Sequence, residues 1–287
     1  MLREGMSVAA VIVTYNSRGS IAACLDGLLA SGVVREVIVV DNASSDGTLD
    51  AVRGRDDRIV TIALSNNRGF GAAANIGAAR ATAPLLAFFN PDASVAAGTC
   101  EALAELLERD AAVWAVGPAL LNDRGVREYS ARGFPSEWST LFNRRYLDIF
   151  PRSRRAELVR FLMLDHDRTA VFECDWLSGA FFLLRRADFA ALGGFDEQFF
   201  MYYEDADLFR RRPPGRPVLF VGSALAAHAI GGSSRQVAVR AGAWRVRSSW
   251  RYYRKHLRRG FGTDARYIAA TLCGILLEMI SKLWKRA

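Results

Sequence analysis

An α/β fold with a mostly parallel central sheet is what the sequence predicts, on three observations. Short runs rich in β-branched and apolar residues alternate with helix-patterned stretches through the first 120 residues. The connections between them are short, and polar residues stand where three of the runs end. Strand–helix–strand repetition with such connections lays parallel strands side by side and covers them with helices. The chain has 287 residues, 51% hydrophobic and 24% charged. That composition supplies one sizeable core with a small appendage and excludes a disordered or fibrous protein.

Taken in order, residues 8–14, 36–41, 59–64, 85–90 and 113–116 read as strands, and residues 21–30, 48–53, 72–81 and 99–109 as the helices between them. Ligands of such sheets bind beyond the carboxyl ends of the strands. Thr14-Tyr15-Asn16, Asp41-Asn42 and Asn90-Pro91-Asp92 are therefore expected to gather on one edge. From 122 to 172 the pattern breaks, with Gly125, Pro135 and Pro151 interrupting aromatic and arginine-rich stretches such as FNRRYLDIFPRSRR, as an insertion would. A second regular unit follows: a strand over 176–184, a helix near 187–192, a Gly193-Gly194 turn, a helix from about Glu204 and a strand at 218–221. Two helices, about 242–259 and 264–284, close the chain.

The net charge of +8 is unevenly placed. Residues 235–287 hold thirteen Lys or Arg against Asp264 and Glu278, a local charge of +11, which leaves −3 on the first 234. A basic tail on a slightly acidic body suits an anionic surface, and the aromatic and apolar residues between the charges favour lipid over nucleic acid. Residues 267–284 are largely apolar, but Glu278 and Lys282 interrupt them, so an interfacial helix is expected rather than a span. Cys24, Cys100, Cys174 and Cys273 lie far apart and form no CxxC pair, which points to reduced thiols in a cytoplasm. No export signal is expected from MLREGMSVAAVIVTYNS.

Four clusters carry chemistry. In VIVTYN and VVDNASSDGT, Asp41 at a strand end can accept from the N3–H of uracil or thymine, whereas Asp46-Gly47 reads as a turn and helix start. In NNRGFGAAANIG, glycines permit close backbone approach and a helix N-terminus can face phosphate. Gly69, Gly71 and Ala74, with Asp92 further on, also spell a dinucleotide fingerprint, but four polar residues separate it from the strand it should follow. In FFNPDAS, Asp92 offers an oxygen ligand for Mg²⁺ or Mn²⁺ against a diphosphate, or caps the next helix. In GGFDEQFFMYYEDADL, Glu204, Asp205 and Asp207 crowd beside aromatic rings that can raise a carboxyl pKa toward the range of a general base. His228 follows the last strand of the unit and precedes glycines.

Taken together, VTYN, VVDNASSDGT, NRGFGAAANIG, FFNPD, WLSGAFFLLRR and GGFDEQFFMYYEDADL occur in the order seen in glycosyltransferase family 2. The chain resembles that family over roughly residues 8–232, and its bacterial rhamnosyltransferase branch most closely. The resemblance implies a GT-A fold over 1–234, with a nucleotide-sugar half to about 120 and an acceptor half from 121, followed by the basic tail at 235–287. It implies that Thr14, Tyr15 and Asp41 hold the nucleoside, with Gly69, Asn75, Asn90 and Asp92 completing the donor site. Asp92 matches the last carboxylate of the family's metal-binding DxD, and Asn90 stands where the first would be. His228 takes the place of a metal or diphosphate ligand, Asp205 that of the catalytic base, and Trp176, Gly179 and Glu204 border the acceptor.

The implied reaction is inverting displacement of a TDP- or UDP-linked sugar by an acceptor hydroxyl, with a divalent cation on the leaving diphosphate. Rhamnose as the sugar, a polyprenyl-linked acceptor in cell-envelope polysaccharide synthesis and a station at the inner face of the cell membrane follow from the branch alone. Two alternatives stand beside it. A sugar-nucleotide pyrophosphorylase would need a basic, glycine-rich loop where the chain has VTYNSRGS. An inactive, membrane-docked scaffold of the same fold would neither hydrolyse nor transfer a donor.

Overall fold

The computed structural model describes residues 6–138, 152–228 and 238–284. The aromatic and arginine-rich run at 142–151, the glycines after His228 and the basic residues at 285 and 286 lie outside the described residues, as do the side chains of Glu278 and Lys282.

The first half is the expected alternation: β1 (Val8–Thr14), α1 (Ile21–Leu29), β2 (Val34–Asp41), α2 (Thr48–Val52), β3 (Ile59–Ala63), α3 (Phe70–Arg80) and β4 (Leu85–Phe89). Strands β3, β2, β1 and β4 lie side by side, all parallel. Period-two alternation builds the two faces. Val8, Ala10 and Ile12 pack toward α1, while Ala9, Val11 and Val13 pack toward α3. The small residues of α3 bring it close to the sheet; a Cβ on Gly77 would stand 2.5 Å from Val11 Cγ1 and 3.0 Å from Val40 Cγ2. A larger residue there would push the helix away from the strands whose ends form the site.

The second half comprises β5 (Ala93–Val95), α4 (Thr99–Arg109), β6 (Ala115–Leu121), β7 (Ala131–Arg132), α5 (Arg152–Leu162), β8 (Val171–Cys174), β9 (Trp176–Leu177), β10 (Phe181–Arg185), α6 (Arg186–Ala191), α7 (Glu204–Arg210) and β11 (Val218–His228). Here β10 inserts antiparallel between β4 and β6, and β11 runs parallel to β6, so the sheet as a whole is mixed, ordered β3-β2-β1-β4-β10-β6-β11-β5 with β8 beside β11. The expected strand over 176–184 is divided. Trp176–Leu177 pairs with β7 in a separate ribbon, and a turn closed by the Phe181 N–H on the Ser178 carbonyl lifts the chain into β10. Within the stretch from 122 to 172, the described residues contribute β7, α5 and part of β8.

The tail forms α8 (Ala238–His256) and α9 (Phe261–Trp284), close to the expected helices. Tyr252, on the buried face of α8, packs with Phe199 and Ala206, so this helix is seated on α7 and the loop before it. Tyr253 and Tyr267 stack with centroids 4.2 Å apart and hold α9 against α8.

Candidate active site

The strand ends gather as the alternation demands. Thr14 and Asp41 are register partners at the ends of β1 and β2, and Thr14 Oγ1 donates to Asp41 Oδ1 at 2.8 Å. Ser44 adds its hydroxyl to Oδ1 and its backbone N–H to Oδ2, at 2.5 and 2.9 Å. Those three bonds fix the carboxylate and leave Oδ2 one acceptor direction. Tyr15 is half-buried beside it. Asp46 and Gly47 form the turn into α2, with Asp46 accepting from the N–H groups of Arg18 and Thr48.

Gly69 and Asn75 face elsewhere. At Gly69, φ is +85° and a Cβ would stand 2.2 Å from the Phe200 carbonyl oxygen, which also accepts the Phe70 N–H at 3.0 Å. The first N–H of α3 is therefore already used by the chain itself. Asn75 exchanges a pair of hydrogen bonds with the backbone of Phe195, at 2.8 and 2.9 Å. Both residues brace the 193–200 loop that leads into α7. Asn42 does the same from the other side, accepting from the Arg68 N–H and donating to the Gly69 carbonyl.

Asn90, Asp92 and His228 meet at the end of β4. The His228 Nε2 lies 3.4 Å from Asp92 Oδ1 and 3.3 Å from Asn90 Nδ2, while its Nδ1 is 3.6 Å from Glu128 Oε2. Burial alone would lower the His228 pKa, but the two carboxylates outweigh it and push the value up to about 9. Among the described residues no group of three His, Cys, Asp or Glu stands ready to hold a metal. Asp92 Oδ1 and His228 Nε2, 3.4 Å apart, are the two groups of this cluster that could turn to a shared cation. Phosphate oxygens and water would complete such a shell.

Asp205 stands in the first turn of α7, and two neighbouring residues tie it to the Asn90 cluster. Gly179 donates its N–H to Asp205 Oδ2 at 3.0 Å, and the carbonyl of Ala180 accepts the Asn90 N–H at 3.0 Å. A second backbone donor, Ala206, reaches Oδ1 at 2.8 Å. Desolvation raises the pKa of Asp205, opposed by these N–H groups and by Arg132. Glu204 is raised well above the ordinary range by burial and then by its neighbour Asp205, and its Oε2 is buried without a partner among the described residues. The two N–H groups on Asp205 favour its charged form, and Glu204 Oε2 has no such donor among the described residues. Tyr202 and Tyr203, just before them, adopt φ of +67° and +66°. Two non-glycine residues in this region carry backbone strain at the entrance to α7. Trp176 is half-buried on the β7–β9 ribbon, its Nε1 donating to Gly133.

A family model described as glycosyl transferase family 2 matches residues 9–191. The chain belongs to glycosyltransferase family 2. It is a glycosyltransferase of α/β GT-A architecture. An N-acetylglucosaminyl-diphospho-decaprenol L-rhamnosyltransferase of Mycobacterium tuberculosis is 31% identical over 210 residues, spanning 69% of this chain and 67% of that one. The mannosyltransferase PcManGT of Pyrobaculum calidifontis, solved with GDP-Man and Mn²⁺, superposes with a TM-score of 0.59 at 18% identity, over 94% of this chain and 73% of that one. S. aureus TarS 1–349, solved with UDP-GlcNAc, gives 0.55 at 17% identity, over 92% and 79%. At these identities the two structures show a shared fold.

Three participants escape a reading of the sequence. Glu128 reaches His228 and Arg132 stands near Asp205, yet both come from the stretch expected to be an insertion. His256 is the third; it lies in the tail, about fifty residues beyond its partner Asp207. Their only mark in the sequence is charge inside otherwise aromatic surroundings.

Proposed function

We propose that the chain transfers L-rhamnose from TDP-rhamnose to a hydroxyl of polyprenyl-diphosphate-linked N-acetylglucosamine, inverting the anomeric carbon. The observation that carries the transfer step is the link through Gly179-Ala180, which fixes a carboxylate of raised pKa, Asp205, beside the Asn90–Asp92–His228 cluster. Sugar and acceptor are taken from the name of the M. tuberculosis relative.

Thr14, Tyr15 and Asp41 bind the nucleoside, Asp41 through its free acceptor direction. Asp205 takes the acceptor's hydroxyl proton as that oxygen bonds to the anomeric carbon, and the bond from that carbon to the diphosphate oxygen breaks with its electron pair on the diphosphate. Glu204, protonated, offers an O–H to the bound sugar or acceptor, and Trp176 borders the acceptor. Asp92 and His228 would hold a divalent cation, Mg²⁺ or Mn²⁺, which when bound neutralises charge on the leaving diphosphate. Cation binding would release the proton that His228 otherwise carries.

The tail serves as the membrane contact. Phe261, Ile268, Leu272, Ile275 and Leu276 are exposed on α9 and fall on one stripe of the helix, opposite Tyr267 and Ala270, which pack inward. Exposed Arg247, Arg254, Arg258 and Arg259 supply the positive charge. Among the described residues no helix is long and apolar enough to cross a membrane, so α9 would lie in the interface of an anionic leaflet on the inner face of the cell membrane.

Incubating the protein with TDP-rhamnose, Mn²⁺ and a short-chain prenyl-diphosphate-GlcNAc tests the reading. The expected products are TDP and a disaccharide lipid of inverted configuration by NMR. Transfer from UDP-GlcNAc alone would reassign the sugar, and absence of both transfer and donor binding would overturn the function.

A further inference from the structure

Arg132 ends β7 directly across from Trp176, on a ribbon that packs against α7. Its Nε donates to the Tyr129 carbonyl at 2.5 Å, and its guanidinium carbon lies 5.6 Å from the centre of the Phe161 ring. These contacts set the orientation of a planar fork. Among the described residues, its two terminal nitrogens donate to no hydrogen-bond acceptor. Arg168, a neighbouring cation, differs: both of its terminal nitrogens are spent on the carbonyls of Glu128 and Leu162.

Asp205 and Glu128 attract Arg132 through space, and burial works against its charge. Neither carboxylate closes a hydrogen bond with it. The Asp205 oxygens are taken by Gly179 and Ala206, and Glu128 faces His228. A half-buried guanidinium cannot shed its proton; Asp205 and Glu128 offset its desolvation in part, and an anion bonded to its open N–H groups would offset more. The two terminal nitrogens of Arg132 are left open on a ribbon that packs against α7, the helix carrying the proposed base, and a phosphoryl oxygen is the anion whose shape such a fork matches.

We propose that Arg132 is an anion-binding residue of the active site that takes a diphosphate oxygen of a substrate. The inference rests on the glycosyl-transfer reading. Two diphosphates meet in that reaction, the leaving nucleoside diphosphate and the lipid diphosphate of the acceptor, and they share this chemistry.

The test compares wild type with Arg132→Gln and Arg132→Lys. Titration calorimetry measures TDP binding in EDTA, and steady-state kinetics compares prenyl-diphosphate-GlcNAc with an alkyl glycoside of GlcNAc, which lacks the diphosphate. A roughly tenfold weaker TDP affinity in Arg132→Gln, partly restored by Lys, supports the proposal and assigns the leaving nucleotide. A KM raised about tenfold for the diphosphate acceptor only, with kcat and TDP binding held, supports it and assigns the acceptor. Unchanged binding and KM in a folded Arg132→Gln would overturn it, as would an equal loss with every ligand that follows the fall in Tm. Failure of wild type to bind TDP at all would instead sink the glycosyl-transfer reading.

Discussion

The imidazole Nε2 of His256 approaches Asp207 Oδ1 to 2.7 Å, so the last turn of α8 is bonded to the helix that carries Asp205. Lys255 reaches the same oxygen at 2.7 Å, and Arg211 Nε donates to Oδ2 at 2.8 Å. The Asp207 side chain is fully buried, and three basic groups satisfy it. Burial alone would raise its pKa; His256, Lys255 and Arg211 outweigh that and hold it below the ordinary carboxylate range.

Removing the Asp207 charge leaves those three groups without their shared partner. Asp207→Asn is expected to cost roughly 3 kcal/mol or more, read as a lowered Tm. Because the folded pKa is depressed, this stability is present above the unfolded carboxylate pKa and is lost as pH falls through the folded value. Melts between pH 6 and pH 3 should show a steeper decline for wild type than for Asp207→Asn; parallel declines would contradict the assignment.

His256 lies outside the reacting centre, and its effect should travel through α7. His256→Ala is expected to lower kcat severalfold while TDP affinity stays within about twofold, since the residues proposed to bind the nucleoside stand on β1 and β2. Ser248 also reaches the Met201 carbonyl at 2.8 Å, so α8 holds the loop before α7 at two points. Equal losses in kcat and TDP binding would mean that the helix braces the whole body instead.

Glu204 poses the opposite electrostatic problem. Its folded pKa is raised by burial and by Asp205, so its contribution to stability is complete below the unfolded value and is lost as pH rises through the folded one. Glu204→Gln, which needs no proton, is expected to raise Tm at pH 8 and to change it little at pH 4. Activity should fall less than in the Asp205 variant. A Tm gain of the same size at both pH values would argue against a buried, protonated Glu204.

Much of this site was legible in the sequence because strand ends announce themselves. Thr14, Asp41 and Asn90 each close an apolar β-run, and parallel pairing then aligns them without further information. Only family resemblance singles out Asp205, since Glu204, Asp205 and Asp207 are chemically alike in a local pattern. The antiparallel entry of β10 was not legible. An apolar run from 176 to 184 reads as one strand, and only the turn at Ser178, whose N–H bonds the distant Ser130 carbonyl, divides it. Glu128, Arg132 and His256 were hidden for the same reason, because their partners lie roughly fifty or more residues away in sequence and nothing periodic marks the pairing.

If Asp92 and His228 support a cation against the diphosphate, EDTA should abolish transfer and Mn²⁺ or Mg²⁺ restore it. Asp92→Asn should lose most activity with little change in Tm, and should weaken TDP binding with Mn²⁺ more than in EDTA. Full transfer in chelator would place the leaving charge on side chains alone.

As the proposed base, Asp205 must be ionised to take a proton, and its pKa is raised chiefly by desolvation. Turnover at saturating donor is therefore expected to rise with pH through a value above the ordinary carboxylate range and then level off. Asp205→Asn keeps the size and removes the basicity, so kcat should fall by roughly a hundredfold or more with TDP affinity nearly unchanged. Adjacent helical residues point about 100° apart, so Glu204 cannot take over from the same position. The Asn side chain still accepts one N–H, from Gly179 or Ala206, which limits any collapse of the loop. The deciding measurement is the pair of pH profiles for Asp205→Asn and Glu204→Gln. A dead Glu204 variant beside a near-normal Asp205 variant would reverse the two roles.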